Sequence, residues 1–214
     1  MSRRIGLFGG TFDPVHIGHL RTALELQEIL ELDEVRLLPC SDPYHRDSET
    51  TPAPHRLAML QLACADVPGL VVDDRELHRS GPTYTFDTLS SLREELGDDC
   101  SLVLCMGMDA LLNLPTWHRW QDFLALCHIV VACRPGYQLP ESGALADLIQ
   151  DKAATSVAEL HALPAGKVLV REMTLLPVSA TEVRAAIGDN RSLKWLVPDP
   201  VIQYINDQKL YTSN

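Results

Sequence analysis

Short apolar runs alternate along the chain with segments of helical period, and this alternation constrains the fold more than any other property of the sequence. Residues 4–8 read as a strand running into Gly9-Gly10, and 17–30 as a helix with apolar side chains at 20, 23, 24, 26 and 30. Residues 35–38 follow as a strand, 54–65 as a helix, 70–72 as a short strand and 86–96 as a further helix. Segments 101–106 and 128–133 are continuous, apolar and bounded by turns, the pattern of central strands covered on both faces. Residues 167–170 read as another strand, and 180–187 and 200–207 as late helices, while 135–164, rich in Ala, Pro and Gly, resist assignment. Strands separated by helices predict an α/β fold, a mainly parallel sheet with helices on both faces. No repeat, low-complexity tract or long linker divides the chain, so residues 1–214 are expected to form one domain. In such sheets ligands gather beyond the carboxyl ends of the strands, where the strand order reverses.

Charge narrows the partners. Lys plus Arg number 18 and Asp plus Glu 29, a formal net charge of −11. An acidic chain makes a poor coat for nucleic acid or anionic lipid, because binding there depends on neutralising phosphates with Lys and Arg. Lysine occurs only at 152, 167, 194 and 209, so any phosphate chemistry falls to Arg, His and backbone amides. No run of about 18 apolar residues predicts a membrane span, and the first residues carry no secretory apolar stretch. The six cysteines form no Cys-x-x-Cys pair and no finger-like spacing, which suits buried thiols in a reducing cytoplasm and no protein-held metal.

The segment Gly9-Gly-Thr-Phe-Asp-Pro-Val-His-Ile-Gly-His19 stands directly after the first strand. Two glycines permit tight turning and close approach of backbone to a ligand, and Asp13 before Pro14 reads as a turn or cap residue. His16 and His19, three apart, face one side of an incipient helix, with Gly18 leaving room between them. Amides at a helix start make an anion site, and two imidazoles there can donate to phosphoryl oxygens as charge builds. Much later, Pro177-Val-Ser-Ala-Thr-Glu-Val-Arg184 places Ser179 and Thr181 before a short helix, with Arg184 one turn on. Hydroxyls there commonly cap; with a guanidinium they also converge on a phosphate.

These two segments resemble the nucleotidyltransferase superfamily, in which a His-x-Gly-His turn cradles a nucleotide triphosphate and an Ile-Ser-Ser-Thr-x-x-Arg element closes the site. Here Val178 replaces the Ile and Ala180 the second Ser. His16-Ile-Gly-His19 also matches the first signature of class I aminoacyl-tRNA synthetases. Those require a Lys-Met-Ser-Lys-Ser loop, and none of the four lysines sits in one.

Further segments point to the acceptor. Pro43-Tyr-His-Arg46 follows the second strand, and His45 and Arg46 are suited to a monophosphate. Gly81-Pro-Thr-Tyr-Thr85 precedes a helix start, where Thr85 can present a hydroxyl and amides to a carboxylate. Gly107-Met-Asp109 follows a central strand, with an acid suited to ribose hydroxyls. Leu114-Pro-Thr-Trp117-His118 offers an indole for a flat ring, although a core role is the ordinary fate of Trp117 and Trp120. In this order the segments resemble the bacterial nicotinate mononucleotide adenylyltransferase family.

That resemblance implies a Rossmann-like, doubly wound fold, with a helical part about 179–214 closing the triphosphate site. It implies ATP and nicotinate mononucleotide as substrates, deamido-NAD and pyrophosphate as products, and Mg²⁺ carried on the ATP phosphates. His16, His19 and Arg184 would be catalytic. Gly9, Gly10, Thr11, Phe12, Gly107, Asp109, Arg134, Ser179 and Thr181 would complete the ATP site. His45, Arg46, Thr85, Trp117 and His118 would hold the acceptor. The histidines 16, 19 and 45, with Arg46, Arg134 and Arg184, are expected to form a small positive pocket in an acidic shell. A homodimer is compatible with the sequence and not required by it.

Overall fold

The computed structural model describes residues 2–41 and 50–212. Six strands alternate with helices: β1 (Arg4–Gly10), α1 (Ile17–Ile29), β2 (Glu34–Pro39), α2 (Ala53–Cys64), β3 (Leu70–Val72), α3 (Thr85–Leu96) and β4 (Ser101–Gly107). There follow α4 (Met108–Asn113), α5 (Phe123–Leu126), β5 (His128–Cys133), α6 (Ala144–Lys152), α7 (Val157–Leu160), β6 (Val168–Glu172), α8 (Ala180–Gly188) and α9 (Asp199–Asp207). Short 3₁₀ turns at Leu114–Thr116 and Trp120–Asp122 join α4 to α5.

All strand pairings are parallel, in the order β3-β2-β1-β4-β5-β6. The chain therefore builds outward from β1 on one side, returns to the middle at β4 and builds outward on the other. This Rossmann-like order matches the expected fold class, and its reversal lies between β1 and β4, where Phe8 pairs with Cys105. The loops after these two strands consequently emerge side by side.

Alternation along the central strands divides the core. Leu102, Leu104 and Met106 of β4 join Leu89 and Leu92 of α3 and Leu145 and Ile149 of α6 on one face. Val103 and Cys105 face the other, among residues of α1, α2, α8 and α9 such as Leu26, Leu60, Val183 and Val201. This two-residue period follows from side chains pointing alternately across a strand. Gly6 shows how tightly the sheet meets its cover: a Cβ there would lie 2.7 Å from Leu32 Cδ1.

The structure adds α6 and α7 within 135–164. Along α6 Leu145, Leu148 and Ile149 do recur at helical spacing, but over nine residues only, within a stretch whose prolines and glycines read as loop. Conversely, β1 runs two residues beyond its apolar run, because Gly9 and Gly10 pair with Leu38 and Pro39. Among the described residues no helix is long and apolar enough to cross a membrane.

Two histidines, His128 buried and His161 half-buried, tie the chain near α7 to the sheet. His128 Nε2 lies 2.9 Å from Leu163 O, and Nδ1 accepts from the Lys167 amide at 3.1 Å. His161 Nε2 lies 2.8 Å from Leu30 O, with Nδ1 2.7 Å from Ser101 Oγ. Facing a carbonyl, each Nε2 carries the proton and each Nδ1 accepts, which is the neutral tautomer. Burial pushes His128 down to about 4 from an ordinary 6.5, and pushes His161 down as well. Below about 6.5 the unfolded chain takes up protons that the folded chain refuses, so stability falls as pH falls from there toward about 4. The melting temperature should therefore decline steadily between pH 6.5 and 4.5 in calorimetry; a constant value across that window would contradict buried, neutral histidines.

Candidate active site

The turn after β1 is built around one left-handed residue. Gly9 and Gly10 stay extended in the strand, and positive φ falls instead on Phe12, at 50°, whose ring is almost wholly buried. Gly10 serves close packing: a Cβ there would stand 3.0 Å from the Phe12 ring. Phe12 in turn meets His19 edge-on, with centroids 5.0 Å apart. Asp13 is no helix cap. The N-cap of α1 is His16, and buried Asp13 accepts from Tyr211 Oη at 2.6 Å and from the Thr51 amide at 3.3 Å.

At the start of α1 the imidazoles of His16 and His19 stack with centroids 3.7 Å apart and planes 23° apart. The backbone amide of His16 donates to His19 Nδ1 at 3.3 Å. Gly18 makes the stack fit, since a Cβ there would lie 2.9 Å from His16 Nδ1 and 3.2 Å from Val178 O. Burial lowers His16 to about 4, against a small upward pull from Glu182. Burial lowers His19 to about 3, and neighbouring His16 adds to the effect. Both rings are therefore neutral at pH 7, and the expected positive pocket is not carried by them. With Nδ1 accepting, the His19 proton sits on Nε2, which can donate. His16 Nδ1 is buried without a hydrogen-bond partner among the described residues.

The second motif closes on this turn. Ser179 caps α8, its hydroxyl accepting from the Glu182 amide at 3.2 Å while the Glu182 carboxylate accepts from the Ser179 amide at 3.0 Å. Arg184 Nη1 donates to the backbone carbonyl of Asp13 at 2.6 Å, and Nη2 lies 3.4 Å from Thr181 Oγ1. The guanidinium thus fastens two motifs that lie far apart in sequence. Leu196 O accepts from the Ile17 amide at 2.9 Å, a second tie from the C-terminal part to the start of α1.

Beside them, Gly107 caps α4 and Asp109 lies in its first turn, accepting from Tyr137 Oη at 3.0 Å. Arg134, just past β5, is exposed on a cleft of about 500 Å³ lined also by Glu25, Pro135, Glu172, Met173 and Leu175. Thr85, expected on the acceptor, is the first residue of α3, after Tyr84 as N-cap. Tyr84 lies against His118, with centroids 4.5 Å apart, so α3 and the Trp117-His118 turn face one another. Trp117 and Trp120 both pack partly against the core, Trp117 edge-on to Phe123 at 6.3 Å. The Trp117 amide already donates to Leu114 O at 2.9 Å, so a carboxylate there would need a different donor. His45 and Arg46 lie outside the described residues.

Sequence reasoning missed Arg56 and Tyr211. Arg56 lies on the buried stripe of α2 with Met59, Leu60 and Ala63, a spacing that could have flagged it. Tyr211 lies beyond the last helix, where nothing local signals its contact with Asp13.

Residues 7–186 match the cytidylyltransferase-like family. A probable nicotinate-nucleotide adenylyltransferase of Pseudomonas paraeruginosa is 51% identical, covering 100% of this chain and 99% of its own. One from Cellvibrio japonicus is 47% identical, covering 99% of this chain and 100% of its own. The chain belongs to the nicotinate-nucleotide adenylyltransferase family. The fold agrees with a solved structure of the Plasmodium falciparum nicotinic acid mononucleotide adenylyltransferase complexed with NaAD. The TM-score is 0.72 at 18% identity, over 98% of this chain and 97% of that one.

For this member of the family, Gly18→Ala should drive the His16 ring from its stack while leaving the sheet intact. Turnover should drop about a hundredfold, as for loss of an aimed donor, with unchanged far-UV circular dichroism. Turnover near that of the unaltered protein would show that the close fit at Gly18 does not matter.

Proposed function

We propose that this chain transfers the adenylyl group of ATP to the phosphate of nicotinate mononucleotide, forming deamido-NAD and pyrophosphate, a step of NAD biosynthesis. The observation that carries the reading is the Arg184–Asp13 contact. It brings both phosphate-binding signatures together at the strand-order reversal, in a chain matched end to end by adenylyltransferase relatives.

The acceptor phosphate is already an anion near neutral pH, so attack requires neither a base nor a nucleophilic side chain. Its oxygen bonds to the α-phosphorus of ATP as the bond to the bridging oxygen breaks, and pyrophosphate leaves with that electron pair. The protein's task is then in-line alignment and stabilisation of spread charge. Neutral imidazoles suit this role: His19 donates through Nε2 without having to discharge a cation, and His16 completes the pair. Positive charge comes from Arg184, whose remaining N–H groups are assigned to the departing phosphates, with Ser179 and Thr181 beside it. The C-terminal part from 179 onward thereby closes the triphosphate site.

Gly9 to Phe12, Gly107, Asp109 and Arg134 are assigned to the rest of ATP. Thr85, Trp117 and His118 are assigned to the pyridine carboxylate and ring, and His45 and Arg46 to the acceptor phosphate. No cluster of three His, Cys, Asp or Glu side chains among the described residues would hold a metal. We assign Mg²⁺ to the ATP phosphates, where it would supply neutralising charge. The mainly buried thiols suit a reducing compartment, and we assign the protein to the cytoplasm.

Pyrophosphate release with ATP should proceed on nicotinate mononucleotide and be far slower on the nicotinamide form, since a site built for a carboxylate rejects an amide. Equal rates would contradict the assigned acceptor, and release with neither would contradict the activity. His16→Ala or His19→Ala should lower kcat by about a hundredfold or more; near-normal turnover in both would remove them from catalysis. Trp117→Ala should raise KM for the mononucleotide about tenfold and leave ATP little changed. Equal damage to both substrates would mark a core tryptophan instead.

A further inference from the structure

Arg56 is used by no step above, yet it is 0% exposed at the head of the apolar stripe of α2. A guanidinium keeps its charge at any physiological pH, so it tolerates burial only where its N–H groups are met. Four backbone carbonyls meet them. Nε donates to Thr51 O at 2.9 Å, Nη1 to Thr11 O and Cys40 O at 2.8 Å each, and Nη2 to Ser41 O. Thr11 belongs to the phosphate turn after β1, Cys40 and Ser41 follow β2, and Thr51 precedes α2. One planar fork thus pins the turn after β1 to both ends of the connection between β2 and α2, at the carboxyl edge of the sheet.

The connection continues toward the acceptor. Ser41 Oγ and Thr83 Oγ1 are 3.0 Å apart, and Thr83 stands two residues before Thr85 at the start of α3. Thr11, at the other end, stands in the turn that leads to His16 and His19. Arg56 therefore touches backbone on the ATP side directly and reaches the acceptor side through a single hydroxyl pair.

We propose that Arg56 is a positioning residue that sets the spacing between the phosphate turn and the acceptor-binding start of α3. It acts through Thr11 on one side and through Ser41 and Thr83 on the other, and the proposal rests on the adenylyltransferase reading of the site. In-line transfer is sensitive to this spacing, because a displacement of about 1 Å in a reacting group costs about a hundredfold in rate. Lysine would keep the charge but lose the fork, and a compact ammonium cannot reach all four carbonyls.

The test is steady-state pyrophosphate release by Arg56→Lys, Ser41→Ala and the double variant, with the unaltered protein as reference and each substrate varied in turn. Ser41→Ala should raise KM for nicotinate mononucleotide about fivefold, with kcat and KM for ATP within about twofold. Arg56→Lys should raise the same KM about tenfold and lower kcat about thirtyfold. The double variant should match Arg56→Lys within about twofold, because the relay is already broken. Single effects on KM that multiply in the double variant would overturn the relay, and a change confined to melting temperature would overturn the positioning role. If Arg56→Lys does not fold, Ser41→Ala decides: a selective rise in acceptor KM upholds the relay and an unchanged KM overturns it. An unaltered protein that releases no pyrophosphate overturns the adenylyltransferase reading and this proposal together, whereas defects in the variants of an active protein isolate Arg56.

Discussion

Two imidazoles stacked 3.7 Å apart at the start of α1 impose the demand to which the surrounding structure answers. For the proposed function they must be dry enough to stay neutral and fixed enough to aim a donor, yet stand beside the exit of a strand where an anion can approach. Gly18 supplies the space, Phe12 walls one side of His19, and Val178 O closes against Gly18 from the distant second motif. A mobile surface pair would gain neither the lowered proton affinity nor a fixed direction, since exposed rings reorient and titrate near their ordinary value. Preorganisation of this kind is what makes hydrogen-bond donors effective against developing charge.

The sheet supplies the place. Reversal of strand order between β1 and β4 leaves their carboxyl ends adjacent, so the His16–His19 turn and the Asp109 turn open to the same side. Beyond the contacts within the first of these turns, what holds it comes from elsewhere in the chain. Arg56 and Arg184 bind the carbonyls of Thr11 and Asp13, and Tyr211 binds the Asp13 carboxylate. Backbone carbonyls held by guanidinium groups fix the loop without placing another carboxylate where the proposed function puts phosphate. The net charge of −11 is that of the whole chain, and with both imidazoles neutral the local positive charge at this turn rests on arginine; in the proposed function the histidines then contribute direction alone.

Much of this was legible in the sequence. The continuous apolar runs at 101–106 and 128–133 do form central strands, and the helix after Gly9-Gly10 begins at Ile17 as its period predicts. The meeting of 9–19 with 177–184 followed from resemblance, not from any local pattern, because a contact across such a separation leaves no periodic trace. Short helices such as α7, four residues long, fall below the length at which a period can be read. Asp13 does stand in a turn, as Asp before Pro signals, but it does not cap α1, and its partners Thr51 and Tyr211 are tertiary contacts that local context cannot show. The charge state of the histidines was likewise invisible, because burial sets it and residue type does not.

Nitrogen-15 NMR of the free protein, labelled at its imidazoles and titrated from pH 8 to 5, reads that charge state most directly. The structure predicts that His16 and His19 stay neutral throughout, with the His19 proton on Nε2. Either ring taking up a proton near pH 6.5 would contradict the dry, neutral pair on which this account depends.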